Sequence, residues 1–228
     1  MAGGQSGTSS VSTALLRNVP LLSVLSEDEL TLLTRVVSRK SYPRGSLILA
    51  TGDTTDSLYI LISGRIKVFM SDLDGKEVIL SILGPNEFFG EMGLIDNNPR
   101  SANVVALEPC ELICISEPDF KRCLAENFGM AMTVMRGLVK RLREADNQIG
   151  SLALMDVFGR VARLLLESAE VIDGQKVVTR KLSKQDIARI IGASREMVSR
   201  VMKHLQEAGY IEVRADTIVI RENILLSE

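Results

Sequence analysis

A chain of 228 residues, 46% hydrophobic and 25% charged, has enough apolar surface for two modest cores, which excludes a largely disordered or membrane-embedded protein. The net charge of −2 excludes a uniformly basic nucleic-acid coat, yet Lys176–His204 holds eight Lys and Arg against two acids, +6 in a chain whose remainder is −8. Three cysteines (Cys110, Cys114, Cys123) without a CxxC pair exclude a disulfide framework; with no signal pattern at the N-terminus and no apolar run near about 18 residues, a cytoplasmic location and no membrane partner are expected.

Residues 1–13 are rich in Gly, Ser and Thr and read as a disordered tail. Ser26-Glu27-Asp28-Glu29 opens a helix as a capping box, and Leu30, Leu33, Val36 and Val37 follow at helical spacing. From Tyr42 to Ser116 short apolar runs alternate with turns. The runs are Leu47–Leu49, Leu58–Ile62, Ile66–Phe69, Val78–Ile82, Val104–Leu107 and Leu112–Ile115, which predicts an all-β sandwich or barrel. Asp74-Gly75 predicts a tight hairpin with positive φ at both central residues.

Pro118 starts another helix with Phe120 and Leu124 on one face. A long helix is predicted from Met130 to about Gly150. Val134, Leu138, Leu142, Ala145 and Ile149 form a narrow stripe close to a heptad seam, suited to a second copy of the helix or to the chain's own barrel. Ser151–Met155 reads as a hinge, and Asp156 caps a helix to about Ala169. Val171–Val178 reads as a hairpin around Asp173-Gly174.

Ser183–Tyr210 carries the strongest pattern. Ser183-Lys184-Gln185-Asp186 is a helix start, and Ile187, Ala188, Ile190 and Ile191 give that helix an apolar face. Gly192 supplies a sharp turn and Ser194 caps a second helix with Val198, Val201, Met202 and Leu205 inward. Arg195, Glu196, Ser199, Arg200 and Lys203 lie outward, an arrangement of the helix-turn-helix kind. An Arg fork fits the two major-groove acceptors of guanine, and Glu can accept from cytosine. The amides at the first helix start, with Lys184 and Lys203, suit phosphates. The alternative is a helical hairpin with an ordinary Glu196–Arg200 surface pair. Ile211–Val213 and Ile218–Ile220 around Arg214-Ala215-Asp216 would form a wing.

Two stretches carry a family resemblance over about Leu21 to Ile220. Phe89-Gly90-Glu91-Met92-Gly93-Leu94-Ile95-Asp96-Asn97-Asn98-Pro99-Arg100-Ser101-Ala102 resembles the phosphate-binding cassette of cyclic-nucleotide-binding domains. Gly192-Ala193-Ser194-Arg195-Glu196-Met197-Val198-Ser199-Arg200 resembles the recognition helix of the Crp/Fnr family of bacterial transcription regulators. The resemblance implies an α+β chain. A jelly-roll-like antiparallel β-barrel sensor (14–129) would precede a dimerisation helix and hinge (130–155) and a winged helix-turn-helix (156–228). It implies a ligand site of Gly90, Glu91, Met92, Arg100 and Ser101. There Arg100 would clamp a phosphate, Ser101 would donate a hydroxyl, and Glu91 would accept from a ribose hydroxyl.

Family analogy also places the base against the long helix. Ala145 and Asp146 stand where cyclic-AMP-responsive members present a Thr-Ser pair, and Arg141 would be a second cation near the phosphate. Cyclic AMP is the first choice of effector. An acceptor-only Asp146 leaves cyclic GMP and cyclic di-GMP open. The expected partners are a second copy of the chain, RNA polymerase, and duplex DNA with an inverted repeat containing TGA and TCA. Arg195, Glu196 and Arg200 match Crp-type readers, whereas Glu196, Ser199 and Arg200 equally match Fnr-type ones. In the wing, Ala215-Asp216 replaces the Gly-Lys common in Crp-type members, so a weaker phosphate contact is expected there.

Residues 1–41 hold no Cys, which argues against an Fnr-type iron–sulfur cluster, and the single His204 reads as a surface residue or phosphate contact. Cys110 and Cys114 are expected in the core. A ligand-independent or differently sensing regulator is the alternative. A cyclic-nucleotide module without DNA binding is more remote, and no enzyme, metal or required-cofactor pattern is found.

Overall fold

The computed structural model describes residues 11–179, 182–214 and 217–221. The chain divides into two compact units, Met1–Lys140 and Arg141–Glu228. Of the expected disordered tail, residues 1–10 lie outside the described residues. Its end is a correction: Val11 is buried and Ser12 caps helix α1 (Thr13–Arg17), whose Leu16 is fully buried. Two buried apolar side chains and a helix cap tie these residues down. Helix α2 (Glu27–Thr34) carries the expected capping box, with Ser26 and Glu29 each satisfying the other's backbone N–H.

Eight strands follow in the first unit: β1 (Ser38–Tyr42), β2 (Leu47–Leu49), β3 (Ser57–Ser63), β4 (Ile66–Ser71), β5 (Glu77–Leu83), β6 (Phe88–Phe89), β7 (Asn103–Ala106) and β8 (Cys110–Ser116). They form two antiparallel sheets in the orders β1-β8-β3-β6 and β2-β7-β4-β5, the jelly-roll-like arrangement expected. Strand alternation distributes β3 and β8 between two cores. Leu58, Ile60, Ile113 and Ile115 pack with Leu16, Leu22 and Leu30, and with Phe120 of helix α4 (Glu117–Glu126). Tyr59, Leu61, Leu112 and Cys114 pack with Ile48, Ile66 and Val104 of the second sheet. Burial on both faces explains why β3 and β8 are continuous apolar runs. Burial pushes the Cys114 thiol up to about 11, so Cys114 behaves as a core residue.

The two Asp-Gly turns differ. Asp173 and Gly174 both have positive φ, the tight two-residue turn between β9 (Glu170–Ile172) and β10 (Gln175–Val178). At Asp74-Gly75 only Gly75 does, which corrects the expectation. Asp72 takes over that turn: its carboxylate accepts from the N–H groups of Asp74 and Lys76, and its carbonyl accepts from Gly75. Such a side-chain bond offers the backbone an alternative turn.

Helix α5 spans Phe128–Leu154. The expected stripe is divided. Val134 is buried and Leu138 packs on the core of the first unit, whereas Leu142 and Ile149 are exposed by 62% and 64%. Of the segment read as a hinge, Ser151–Leu154 continues the helix, and Met155 N–H still donates to Ser151 O. No Pro or Gly interrupts 151–154, and Arg163 of α6 (Val157–Glu167) donates to Ser151 Oγ at 2.9 Å, tying that last turn down. Asp156 caps α6 as expected.

In the second unit, α6, α7 (Lys184–Ile191) and α8 (Arg195–Glu207) share a core with β11 (Ile211–Val213) and β12 (Ile218–Ile220). The two C-terminal hairpins are one sheet, β11-β12-β10-β9, because Val177 pairs with Val219. Ala215 and Asp216, at the wing tip, lie outside the described residues.

Candidate functional site

The first candidate site is the turn between β6 and β7. Gly90 has φ +81°, and a Cβ there would stand 2.6 Å from Arg100 Nη1, so only glycine lets the backbone pass the guanidinium this closely. Glu91 is buried and precedes the short helix α3 (Met92–Asp96), which ends on Asn97 in the left-handed region. Arg100 is 5% exposed. Its Nη1 donates to Gly90 O at 2.8 Å and its Nη2 to Ser57 O at 2.8 Å. Nη2 also meets the exposed carboxylate of Asp56 at 3.4 Å. Its Nε is buried without a hydrogen bond among the described residues. The Arg100 backbone is clamped too: its N–H donates to Asp53 O and its carbonyl accepts from Gly52 N–H. Behind it, the Tyr59 ring stacks on Phe89 at 5.3 Å, with the Arg100 Cζ 5.7 Å from the Tyr59 ring. Burial raises the Tyr59 hydroxyl well above its ordinary value.

Of the expected ligand residues, Gly90, Glu91, Met92, Arg100 and Ser101 are gathered in the first unit. Ser101 is exposed and its Oγ lies 3.8 Å from Met92 Sδ. Arg141, half-buried, and Asp146, exposed, belong to the second unit. Asp56 and Ser57, which anchor Arg100 from the start of β3, were not among the expected site residues. Their only signal was a polar run, Thr54-Thr55-Asp56-Ser57, next to an apolar strand.

The second candidate site is the pair α7–α8. Ser183 and Ser194 cap the helices as expected, accepting from Asp186 N–H and Met197 N–H. Gly192 ends α7 at φ +64°, and a Cβ there would lie 3.2 Å from Leu152 Cδ2. Gln148 Nε2 donates to Ile190 O at 3.0 Å, so the end of α5 completes the last turn of α7. Val198, Met202 and Leu205 are buried, with Val201 half-buried; Arg195, Glu196, Arg200 and Lys203 are exposed. The Glu196–Arg200 surface pair that the spacing allows does not form; neither Arg195 nor Arg200 makes a hydrogen bond or ion pair among the described residues. Backbone N–H and the Ser194 hydroxyl, then Arg195 and Arg200, hold the Glu196 carboxyl below its ordinary range.

Two details differ from the expectation of simple outward readers, the engagement of Lys184 and that of Lys203. Lys184 Nζ donates to Ser199 Oγ at 3.1 Å, so these two are engaged with each other across the turn. Gln185 is exposed on α7. Lys203 meets Glu207 at 3.6 Å. His204 is a surface residue edge-on to Phe158.

Residues 39–127 match the model of the cyclic nucleotide-binding domain, and residues 159–225 match that of the Crp-like helix-turn-helix domain. The chain is 35% identical over 213 residues to the cyclic AMP receptor protein of Thermus thermophilus, covering 93% of this chain and 97% of that one. It is 36% identical over 192 residues to the cAMP-activated global transcriptional regulator Vfr of Pseudomonas aeruginosa, covering 80% and 88%. Among solved structures it is similar to the c-di-GMP responsive global regulator CLP of Xanthomonas campestris. There the TM-score is 0.73 at 28% identity, over 86% of this chain and all of that one.

Proposed function

The chain belongs to the Crp/Fnr family of DNA-binding transcription regulators, and from that premise we propose that it is a homodimer whose grip on DNA is set by a cyclic nucleotide held at Gly90–Ser101. The observation that carries the effector reading is the buried fork of Arg100. Its two carbonyl partners at 2.8 Å orient it, whereas the Asp56 contact at 3.4 Å is long and solvent-facing. A phosphate would exchange with Asp56 and gain a charge-assisted bond. Ser101 would add a hydroxyl and Glu91 an acceptor for ribose.

Cyclic AMP is the proposed effector. Two relatives are named for it, and Asp146 would accept from the adenine amino group. The acceptor-only Asp146 also favours guanine, whose N1 and N2 both donate, so cyclic GMP and cyclic di-GMP are the second reading. Dimerisation rests on the exposed apolar edge of α5, where Leu142, Ala145, Ile149 and Leu152 continue the three- and four-residue steps of a helix seam. Two symmetry-related α8 helices would then enter successive major grooves about 34 Å apart. Arg195, Glu196 and Arg200 would read an inverted repeat containing TGA and TCA. RNA polymerase is the proposed partner of the bound dimer. The effector acts only through its different affinities for DNA-competent and DNA-incompetent states.

The test is calorimetry with cyclic AMP, cyclic GMP and cyclic di-GMP on the wild type and on Arg100→Ala. Heat with cyclic AMP that disappears in the variant is expected. No heat with any of the three overturns the effector reading. Sedimentation of the free protein as a monomer, with no dimer on the DNA, overturns the dimer.

A further inference from the structure

The register of the C-terminal hairpin gathers three charges on its stem. Ile211 and Ile220 face the apolar core, so alternation turns Glu212, between Ile211 and Val213, to the opposite face of β11. One Glu212 oxygen accepts from Arg214 Nε at 3.0 Å, and the other accepts from Arg221 Nη2. The two arginines occupy opposite ends of the same ribbon. Arg214 N–H donates to Thr217 O at one end, while Arg221 N–H donates to Tyr210 O at the other. Both side chains are more than half exposed, at 53% and 58%. The apolar ribbon holds the backbone by itself, and an ion pair this exposed contributes little to stability.

We propose, resting on the reading of the second unit as DNA-binding, that Glu212 is a built-in competitor for the DNA backbone. It occupies the guanidinium groups of Arg214 and Arg221 as a phosphate would, so that the wing grips a duplex only by displacing it. A carboxylate and a phosphate offer an arginine the same kind of charge-assisted acceptor pair, and the surface location makes the exchange cheap. The pairing leaves the trio at +1, half the charge the two arginines would present alone. Arg214 and then Arg221 hold the Glu212 carboxyl below its ordinary range, so at neutral pH the restraint is an anion that a phosphate, not a proton, has to displace. Glu212 is thereby a positioning residue that sets sequence-independent affinity.

The test is duplex binding by full-length Glu212→Gln, by anisotropy across a salt series, on the inverted repeat and on a random duplex. The expected result is tighter binding, about threefold to tenfold near 0.1 M salt, with a salt slope steeper by about one, equal on both duplexes. Glu170→Gln makes the same charge change on exposed β9 and is expected to leave the slope unchanged. Adding Arg214→Gln and Arg221→Gln to Glu212→Gln is expected to remove the gain. A wild-type slope in Glu212→Gln, a gain matched by Glu170→Gln, or a gain that survives loss of both arginines overturns the proposal. A wild-type protein that binds neither duplex overturns the DNA reading itself, a separate outcome.

Discussion

Arg100 in the first unit and Arg200 in the second carry the same guanidinium in opposite surroundings. Arg100 is buried with both Nη atoms on backbone carbonyls; Arg200 projects from α8 with no hydrogen bond among the described residues. The buried arginine is oriented beforehand, so a ligand for it would be a small one that reaches one edge. The exposed one is left for a large partner that supplies its own acceptors. On the proposed function, preorganisation would give the first site selectivity for shape, and exposure would give the second access to base edges.

The largest effect that would break this comparison is at Arg200. Arg200→Ala should weaken binding to the inverted repeat by about 10- to 100-fold, the worth of one bidentate base contact, and barely change binding to a random duplex. Equal losses on both, in a gel shift with competitor, would make Arg200 a phosphate contact. Next comes Gly90→Ala. With φ at +81° and Arg100 Nη1 2.6 Å from the new methyl, it should cost about 1–2 kcal/mol of first-unit stability and reduce heat from cyclic nucleotide. An unchanged melt would mean that Arg100 is not held as described. Ser194→Ala should cost about 1 kcal/mol in the second unit alone, read by urea unfolding, through loss of the Met197 N–H cap. The smallest effect concerns Cys114. Its thiol titrates near 9 when unfolded and about 11 when folded, so its stabilising contribution is present below pH 9 and lost as pH rises through 11. Native protein at pH 8 should resist alkylation there, and fast labelling would place Cys114 outside the core.

The features legible beforehand were those encoded over a few neighbouring residues. Ser26, Asp156, Ser183 and Ser194 cap helices because an N-cap needs only a hydroxyl or carboxylate within reach of the next turn. Gly192 was legible as a sharp turn for the same reason. Strand β1 was not, since Ser38-Arg39-Lys40-Ser41 offers no apolar rhythm and exists through its pairing with β8. The merging of the two C-terminal hairpins, the Asp56 and Ser57 anchors of Arg100 and the Lys184–Ser199 bond are contacts between distant segments. No local pattern specifies them.

The end of α5 has a practical corollary. Gln148 donates to the Ile190 carbonyl in the last turn of α7, Leu152 lies against the turn at Gly192, and Ser151 accepts from Arg163. An autonomous reader head excised from this chain therefore has to begin near Arg141. A fragment trimmed to Asp156, the first cap after the long helix, would strip α7 of its C-terminal support and should show frayed amides, by hydrogen exchange, at the turn that aims the reading helix.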